Sequence, residues 1–190
     1  MGKDFYESFK ESRLVYEEAN DSLNMDLKSM CFEGSEEELM KTENTQPAIL
    51  ATSIAIMKAL EKEGIDCDYT AGLSLGEYTA LVKSGGIKLS DALKLVKIRG
   101  KLMQEAVPQG IGGMAAILGL EREKIKEAIE EGKDKFLVEI ANYNSPEQIV
   151  ISGIKEGVEI ACRKALELGA KKAIILPVSA PFHSSLLEPA

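Results

Sequence analysis

The sequence predicts an α/β fold, on three observations. Gly72-Leu73-Ser74-Leu75-Gly76 lies between a short apolar run, Tyr69-Thr70-Ala71, and a helix-like stretch from Glu77 to Lys83. Residues 113–178 follow the rhythm β-α-β-β-α-β. The first 63 residues read as helices, ready to cover a sheet.

Taken in order, Ser35-Glu36-Glu37-Glu38 forms a capping box ahead of Leu39-Met40. Thr45 is placed to cap a second helix, with Pro47 in its first turn, where a missing N–H costs nothing. That helix runs through Leu60 with apolar residues on most faces, so it is expected to be deeply packed. A strand at 69–73, a turn at Ser74 and a helix at 75–83 follow, closed by Gly85-Gly86. Ser90 caps a helix over 90–107. Beyond it come a strand at 113–119, a helix at 121–131, strands at 137–142 and 147–153, a helix at 155–168 and a strand at 172–178. Asn144-Ser145-Pro146 turns the chain between the middle strands. This unit has the order of a split βαβ, ferredoxin-like domain.

A serine bracketed by glycines at a strand-to-helix turn reads as a nucleophile elbow, which points to acyl transfer through a serine ester. The alternative is an ordinary Gly-rich turn with Ser74 as N-cap and Glu77 completing a capping box. Arg99 adds a second signal. At about 100° per residue, Ala92, Leu95, Val96, Leu102, Met103 and Ala106 fall within about 60° of it, and Lys94, Lys97, Lys101 and Gln104 fall opposite. A guanidinium in an apolar stripe cannot shed its proton and must meet an anion, either a ligand or a structural Asp or Glu, unless it snorkels to the surface. His183, in Ser179-Ala180-Pro181-Phe182-His183-Ser184-Ser185, is the single histidine of the chain. A loop after a strand is where α/β proteins place chemistry. If Ser74 is activated within this chain, His183 is the imidazole that does it.

Composition narrows the classes. The 190 residues, 45% hydrophobic and 28% charged, describe a soluble globular chain. A net charge of −8 argues against nucleic acid or an anionic membrane as partner. The longest apolar run, Pro47 to Met57, falls short of the roughly 20 residues that span a bilayer. Cys31, Cys67 and Cys162 have no metal-ligand spacing, and with one histidine they argue against zinc and for free thiols in the cytoplasm.

The elbow at 72–76, Arg99 on its helix and Pro181-Phe182-His183 together resemble the malonyl-CoA:acyl carrier protein transacylases of fatty acid synthesis. The resemblance extends through Thr45-Gln46-Pro47-Ala48, Gly76-Glu77-Tyr78, Arg99 to Ala106, Asn144 to Gln148, and Leu176-Pro177-Val178-Ser179. It implies an α/β-hydrolase-like large domain, 1–110 with 179–190, and a ferredoxin-like small domain inserted at 111–178. It implies Ser74 as nucleophile and His183 as general base and then acid. Arg99 would be the partner of the malonyl carboxylate and the Leu75 N–H an oxyanion donor, while Phe182 goes with malonyl over branched units. Gln46, Asn144 and Met103 would line or support the cleft. Malonyl-CoA and acyl carrier protein are the implied substrates, with no metal or redox cofactor. Because carrier proteins of this kind are acidic, a local basic patch including Lys171 and Lys172 is expected near the cleft.

Leu73 stands where the family has histidine. Family members also begin earlier, with a Gly-Gln-Gly-Ser-Gln loop, and continue past Ala190. Two strands outside the inserted unit cannot cover the helices around them. The chain is therefore expected to be a fragment, inactive by itself. A serine hydrolase or thioesterase on the same elbow, and a non-catalytic truncated domain used as a docking surface, are the alternatives. Against a neutral acyl chain Arg99 has no purpose.

Overall fold

Helices occupy the first part of the chain, as its caps and apolar spacing require. The structure is a computed structural model, and it describes residues 1–108, 110–178 and 180–190. The chain divides into two units, Met1–Lys101 and Leu102–Ala190. The first contains α1 (Lys3–Ser8), α2 (Lys10–Leu23), α3 (Leu27–Glu33), α4 (Glu36–Met40), α5 (Thr42–Lys62), α6 (Leu75–Lys83) and most of α7 (Leu89–Ala106). The second contains β1 (Gly112–Leu118), α8 (Arg122–Glu130), β2 (Val138–Ser145), β3 (Gln148–Ile154), α9 (Lys155–Glu167) and β4 (Lys172–Ile175), then a short 3-10 turn at Ser185–Leu187.

The first unit packs around α5. Its small residues Ala48, Ala51 and Ala55, with Leu50 and Ile54, are buried against Val15, Tyr16 and Ala19 of α2 and Leu89, Ala92, Leu93 and Val96 of α7. Polar atoms in this core are paired, as burial demands. Ser12 Oγ donates to Ala55 O at 2.7 Å, and the Tyr16 hydroxyl meets Thr52 Oγ1 at 2.9 Å and Met1 O at 3.1 Å. Burial pushes the Tyr16 phenol up to about 12. Cys31 and Cys162 are buried and their thiols are pushed up by desolvation, whereas Cys67 is exposed.

Ser35 caps α4 by accepting the Glu38 N–H at 3.2 Å, as expected. Two other expected caps do not form. The helix assigned to Thr45 begins at Thr42, with Lys41 at the N-cap. The Thr45 hydroxyl acts instead as a donor, to Lys41 O at 3.1 Å and to Leu39 O, so Pro47 lies beyond the first turn. Ser90 falls inside α7, where the Asp91 and Ala92 N–H groups turn back onto Lys88 O. Near the other end of α7, a Cβ on Gly100 would sit 2.5 Å from Thr42 O, so glycine lets α7 cross the start of α5 at backbone contact.

The strand expected at 69–73 is not among the described strands. Tyr69 is 93% exposed and Leu73 69% exposed. A strand exists only through a hydrogen-bonded neighbour, and all four described strands belong to one sheet in the second unit. That sheet has the order β2-β3-β1-β4 with every neighbouring pair antiparallel. One face, including Ala115, Ile117, Ile149 and Ile151, packs on Ile125 and Ala128 of α8 and Val158, Ala161 and Ala165 of α9. The other carries Met114, Ala116 and Val150, packed with Leu176, Val178 and Phe182. Because both faces are covered, β1 and β3 read as continuous apolar runs, not alternating ones. Asn144 and Ser145 extend β2 instead of turning, and the turn is Pro146-Glu147. β4 ends three residues before the expected 178. Among the described residues, no helix is long and apolar enough to cross a membrane.

Ser152 on β3 pairs across the ladder with Met114 and Glu139, is fully buried, and has a hydroxyl without a hydrogen-bond partner among the described residues. An unpaired buried hydroxyl costs about 1–3 kcal/mol. Ser152→Ala is therefore expected to unfold at the same or higher urea concentration than the parent chain. A loss above about 1 kcal/mol in urea unfolding would show that the hydroxyl is satisfied.

Candidate active site

Gly72 makes the bend before Ser74 possible. A Cβ there would lie 1.9 Å from Gly76 O and 2.4 Å from Glu77 N, both backbone atoms that cannot move aside. Ser74 then takes φ 56° and ψ −108°, a conformation costing a non-glycine residue about 1–3 kcal/mol. It stands at the N-cap of α6, yet its side chain makes no capping bond, so the capping-box alternative is not realised. In the first turn behind it, Gly76 N–H donates to Leu73 O at 2.9 Å and Glu77 N–H to Ser74 O at 3.3 Å. The Leu75 N–H precedes them, where a helix offers no acceptor of its own.

The segment entering the bend is fastened to α6 from outside. Thr70 Oγ1 donates to Ala80 O at 3.2 Å. The Lys83 ammonium sits between Asp66 and Glu61. Hydrogen bonds to the two carboxylates, Asp66 first, raise the Lys83 pKa, and the same contact lowers that of Asp66. Glu61 is lowered by its bonds to Lys58 and Lys83.

Arg99 reaches the bend from α7. Its Nη2 donates to Ser74 Oγ at 3.0 Å and its Nη1 to Gln46 Oε1 at 2.6 Å, and its guanidinium carbon lies 5.9 Å from the centre of the Tyr78 ring. Gln46 is only 5% exposed, held in the buried first half of α5. Arg99 is not central to an apolar stripe, as the spacing suggested. Leu95 and Leu102 are exposed, and the buried face is Leu89, Ala92, Leu93, Val96 and Gly100. At about 100° per residue Arg99 sits roughly 80° from the middle of that face, on its rim. From the rim one guanidinium edge rests on neutral protein dipoles while the side chain remains half-buried. Lys97, expected on the polar side, occupies the opposite rim and donates to Met25 Sδ at 3.1 Å.

The other expected site residues lie in the second unit. His183 is exposed and, like Ser74, has a positive φ, 59°. Before it, Pro181 sits over Gly112, where a Cβ would meet Pro181 Cδ at 2.3 Å, and Phe182 joins the cluster of Met114, Ala116 and Val150. After it, Ser184 Oγ donates to Pro181 O at 2.8 Å. Ser185 N–H and Oγ both donate to Glu139 Oε2, at 2.6 and 2.9 Å. Asn144 is exposed at the end of β2 and Met103 is half-buried in the last turn of α7. Ser179 lies outside the described residues. In the first unit, then, Gln46, Ser74, Leu75 and Arg99 come together, joined by Tyr78. Sequence reasoning gave Tyr78 no role, although its i+4 spacing from Ser74 on a helix was a usable signal. Glu139 carried no signal. No group of three or more His, Cys, Asp or Glu among the described residues is placed to hold a metal ion.

The whole chain, residues 1–190, matches the family model of the acyl transferase domain. The chain belongs to that acyl transferase family. It is 50% identical over 191 residues to a malonyl CoA-acyl carrier protein transacylase of Bacillus subtilis (strain 168), covering 100% of this chain and 60% of the relative. Among solved structures it resembles the malonyl CoA-acyl carrier protein transacylase of Clostridium perfringens, with a TM-score of 0.92, 51% identity, and 100% and 60% coverage. It resembles that of Coxiella burnetii with a TM-score of 0.96, 40% identity, and the same coverage. It also matches a malonyl-transacylase in complex with its type II PKS acyl-carrier protein, with a TM-score of 0.95, 45% identity, and 100% and 62% coverage. The chain has an α/β fold matching these structures and spans about 60% of the length of the relatives it matches.

The two glycines that flank the bend at Ser74 differ in a testable way. Gly72→Ala is expected to cost about 1–3 kcal/mol or more, because the added carbon meets backbone. Gly76→Ala, whose Cβ would meet nothing within 4 Å, is expected to be neutral or stabilising. Equal urea midpoints for the two variants would contradict this account of the bend.

Proposed function

We propose that this chain carries the nucleophile, base and carboxylate clamp of a malonyl transferase that moves malonyl from CoA to the phosphopantetheine thiol of an acyl carrier protein. The observation that supports it most directly is the pair of Arg99 hydrogen bonds to Ser74 and Gln46. A cation bonded to the hydroxyl of a strained serine, with its other donor fixed by a buried amide, suits an acyl group that ends in a carboxylate.

In this reading Ser74 Oγ attacks the malonyl thioester carbonyl while His183 takes the hydroxyl proton. The oxyanion develops against the Leu75 N–H at the α6 N-terminus, a type of contact worth about 3 kcal/mol in the transition state. The C–S bond breaks, His183 returns the proton to the CoA thiolate, and a malonyl-serine ester remains. The carrier thiol then attacks that ester with His183 as base, and the serine recovers its proton. Arg99 turns its Nη pair to the malonyl carboxylate, exchanging the Ser74 contact for two charge-assisted bonds. Phe182, Gln46, Asn144 and Met103 support acyl-group fit, and the exposed Lys171 and Lys172 favour the acidic carrier. The finer fold belongs to the same reading. It places 1–110 with 179–190 in a hydrolase-like large domain and 111–178 in a ferredoxin-like small one, and the β-α-β-β-α-β succession and strand order support the second of these. Such an enzyme would work in the cytoplasm on fatty acid synthesis and needs no cofactor of its own.

A serine thioesterase would share the elbow but has no use for Arg99. The decisive experiment uses a protein that carries this sequence, incubated with malonyl-CoA and weighed intact. A malonyl adduct absent in Ser74→Ala is expected. Arg99→Ala is expected to lower malonyl transfer by about 10–100-fold, the loss of a charged hydrogen bond, while acetyl transfer is kept or raised. Equal loss on malonyl and acetyl substrates would remove the carboxylate role.

A further inference from the structure

Glu139 belongs to no motif in the sequence and has no role in the chemistry described above, yet it holds the far side of the histidine loop. On the near side, Pro181 and Phe182 are fixed by packing, over Gly112 and into the Met114 cluster. Beyond His183 the chain enters the 3-10 turn at Ser185–Leu187, whose own bonds, Leu187 N–H to Ser184 O and Glu188 N–H to Ser185 O, are local. The hydrogen bonds that fasten this side to the sheet, among the described residues, are the two from Ser185 to Glu139 Oε2. Both use one carboxylate oxygen, and charge-assisted bonds of this kind are about twice as strong as neutral ones. Glu139 is itself well placed to hold them. It lies in β2 opposite Ser152, in the ladder that pairs β2 with β3.

We propose that Glu139 is the positioning residue for His183. It fixes Ser185, so the strained backbone at residue 183 cannot relax and the imidazole keeps one orientation. The proposal rests on the reading of His183 as the base, but it concerns loop geometry and is tested without turnover. If the malonyl adduct fails to form while the loop measurements come out as expected, the transferase reading falls and the positioning role stands.

The chain has a single histidine, so its ring gives one assignable Cε1–H signal in the NMR spectrum. In Glu139→Ala, which removes both bonds from Ser185, amide exchange at 182–187 is expected to rise by at least about tenfold, the size of a single lost charged hydrogen bond. The His183 ring signal should move toward its position in an unfolded peptide, while exchange in β1 and β3 and the melting temperature stay near the parent values. Glu139→Gln keeps an acceptor oxygen for Ser185 and should restore most of both. An Ala variant with unchanged ring signal and loop exchange would overturn the proposal. So would exchange that rises evenly across the sheet, which marks a merely structural role, or a Gln variant no better than Ala. Should Glu139→Ala not fold, Ser185→Ala removes one of the two donors and leaves the sheet intact. Loosening confined to 182–187 in that variant supports the role, and no change there overturns it.

Discussion

A guanidinium stays charged wherever it is placed, and much of the first unit serves to place one. Gly100 allows α7 to touch the start of α5, and that crossing brings Arg99 against the buried amide of Gln46. From there the second donor reaches Ser74. The partners of Arg99 among the described residues are an amide oxygen, a hydroxyl and a phenol ring, all neutral. Dipoles of this kind orient a cation without cancelling its charge, which leaves it able to attract a carboxylate. A structural aspartate in the same place would have stabilised the helix pair and removed that attraction.

The backbone adds a second constraint. Among the described residues, three non-glycine residues have positive φ: Asn24, Ser74 and His183. Asn24 closes α2, a position where the left-handed conformation is common for asparagine. Ser74 opens α6 without making a side-chain cap, and His183 lies in the turn that leads into the 3-10 segment. Each is held by its surroundings. Gly72 and the Lys83–Asp66 contact hold the serine bend, and Gly112, the apolar cluster and Glu139 hold the histidine loop. Strain survives only where the structure around it over-determines it, and it gathers where geometry matters to chemistry.

Much of this was legible in the sequence, and the gaps have physical reasons. The glycines around Ser74 marked the bend, and the helix behind it spans Leu75–Lys83 as expected, because local sterics decide both. The strand expected before it does not form, since Tyr69–Leu73 carries the residues of a strand but a strand is a property of a pair. Period sets the order of residues around α7 but not which side is covered, and Arg99, central by spacing, sits on the rim of the buried face. Thr45 and Ser90 look like caps by type, and only the helix starts at Thr42 and Leu89 show that they are not. Glu139 pairs with a residue 46 positions away and follows no pattern, so nothing local reveals it.

The central claim is that Arg99 is held uncompensated for a carboxylate beside Ser74, and binding tests it without catalysis. The most direct measurement titrates the 190-residue chain with malonate and, separately, with neutral malonamide, following the Arg99 Nε–H and Ser74 amide resonances. The account predicts a saturable shift of both signals with malonate and little response to malonamide. An Arg99 signal that stays fixed under malonate, or that moves equally with malonamide, would contradict it.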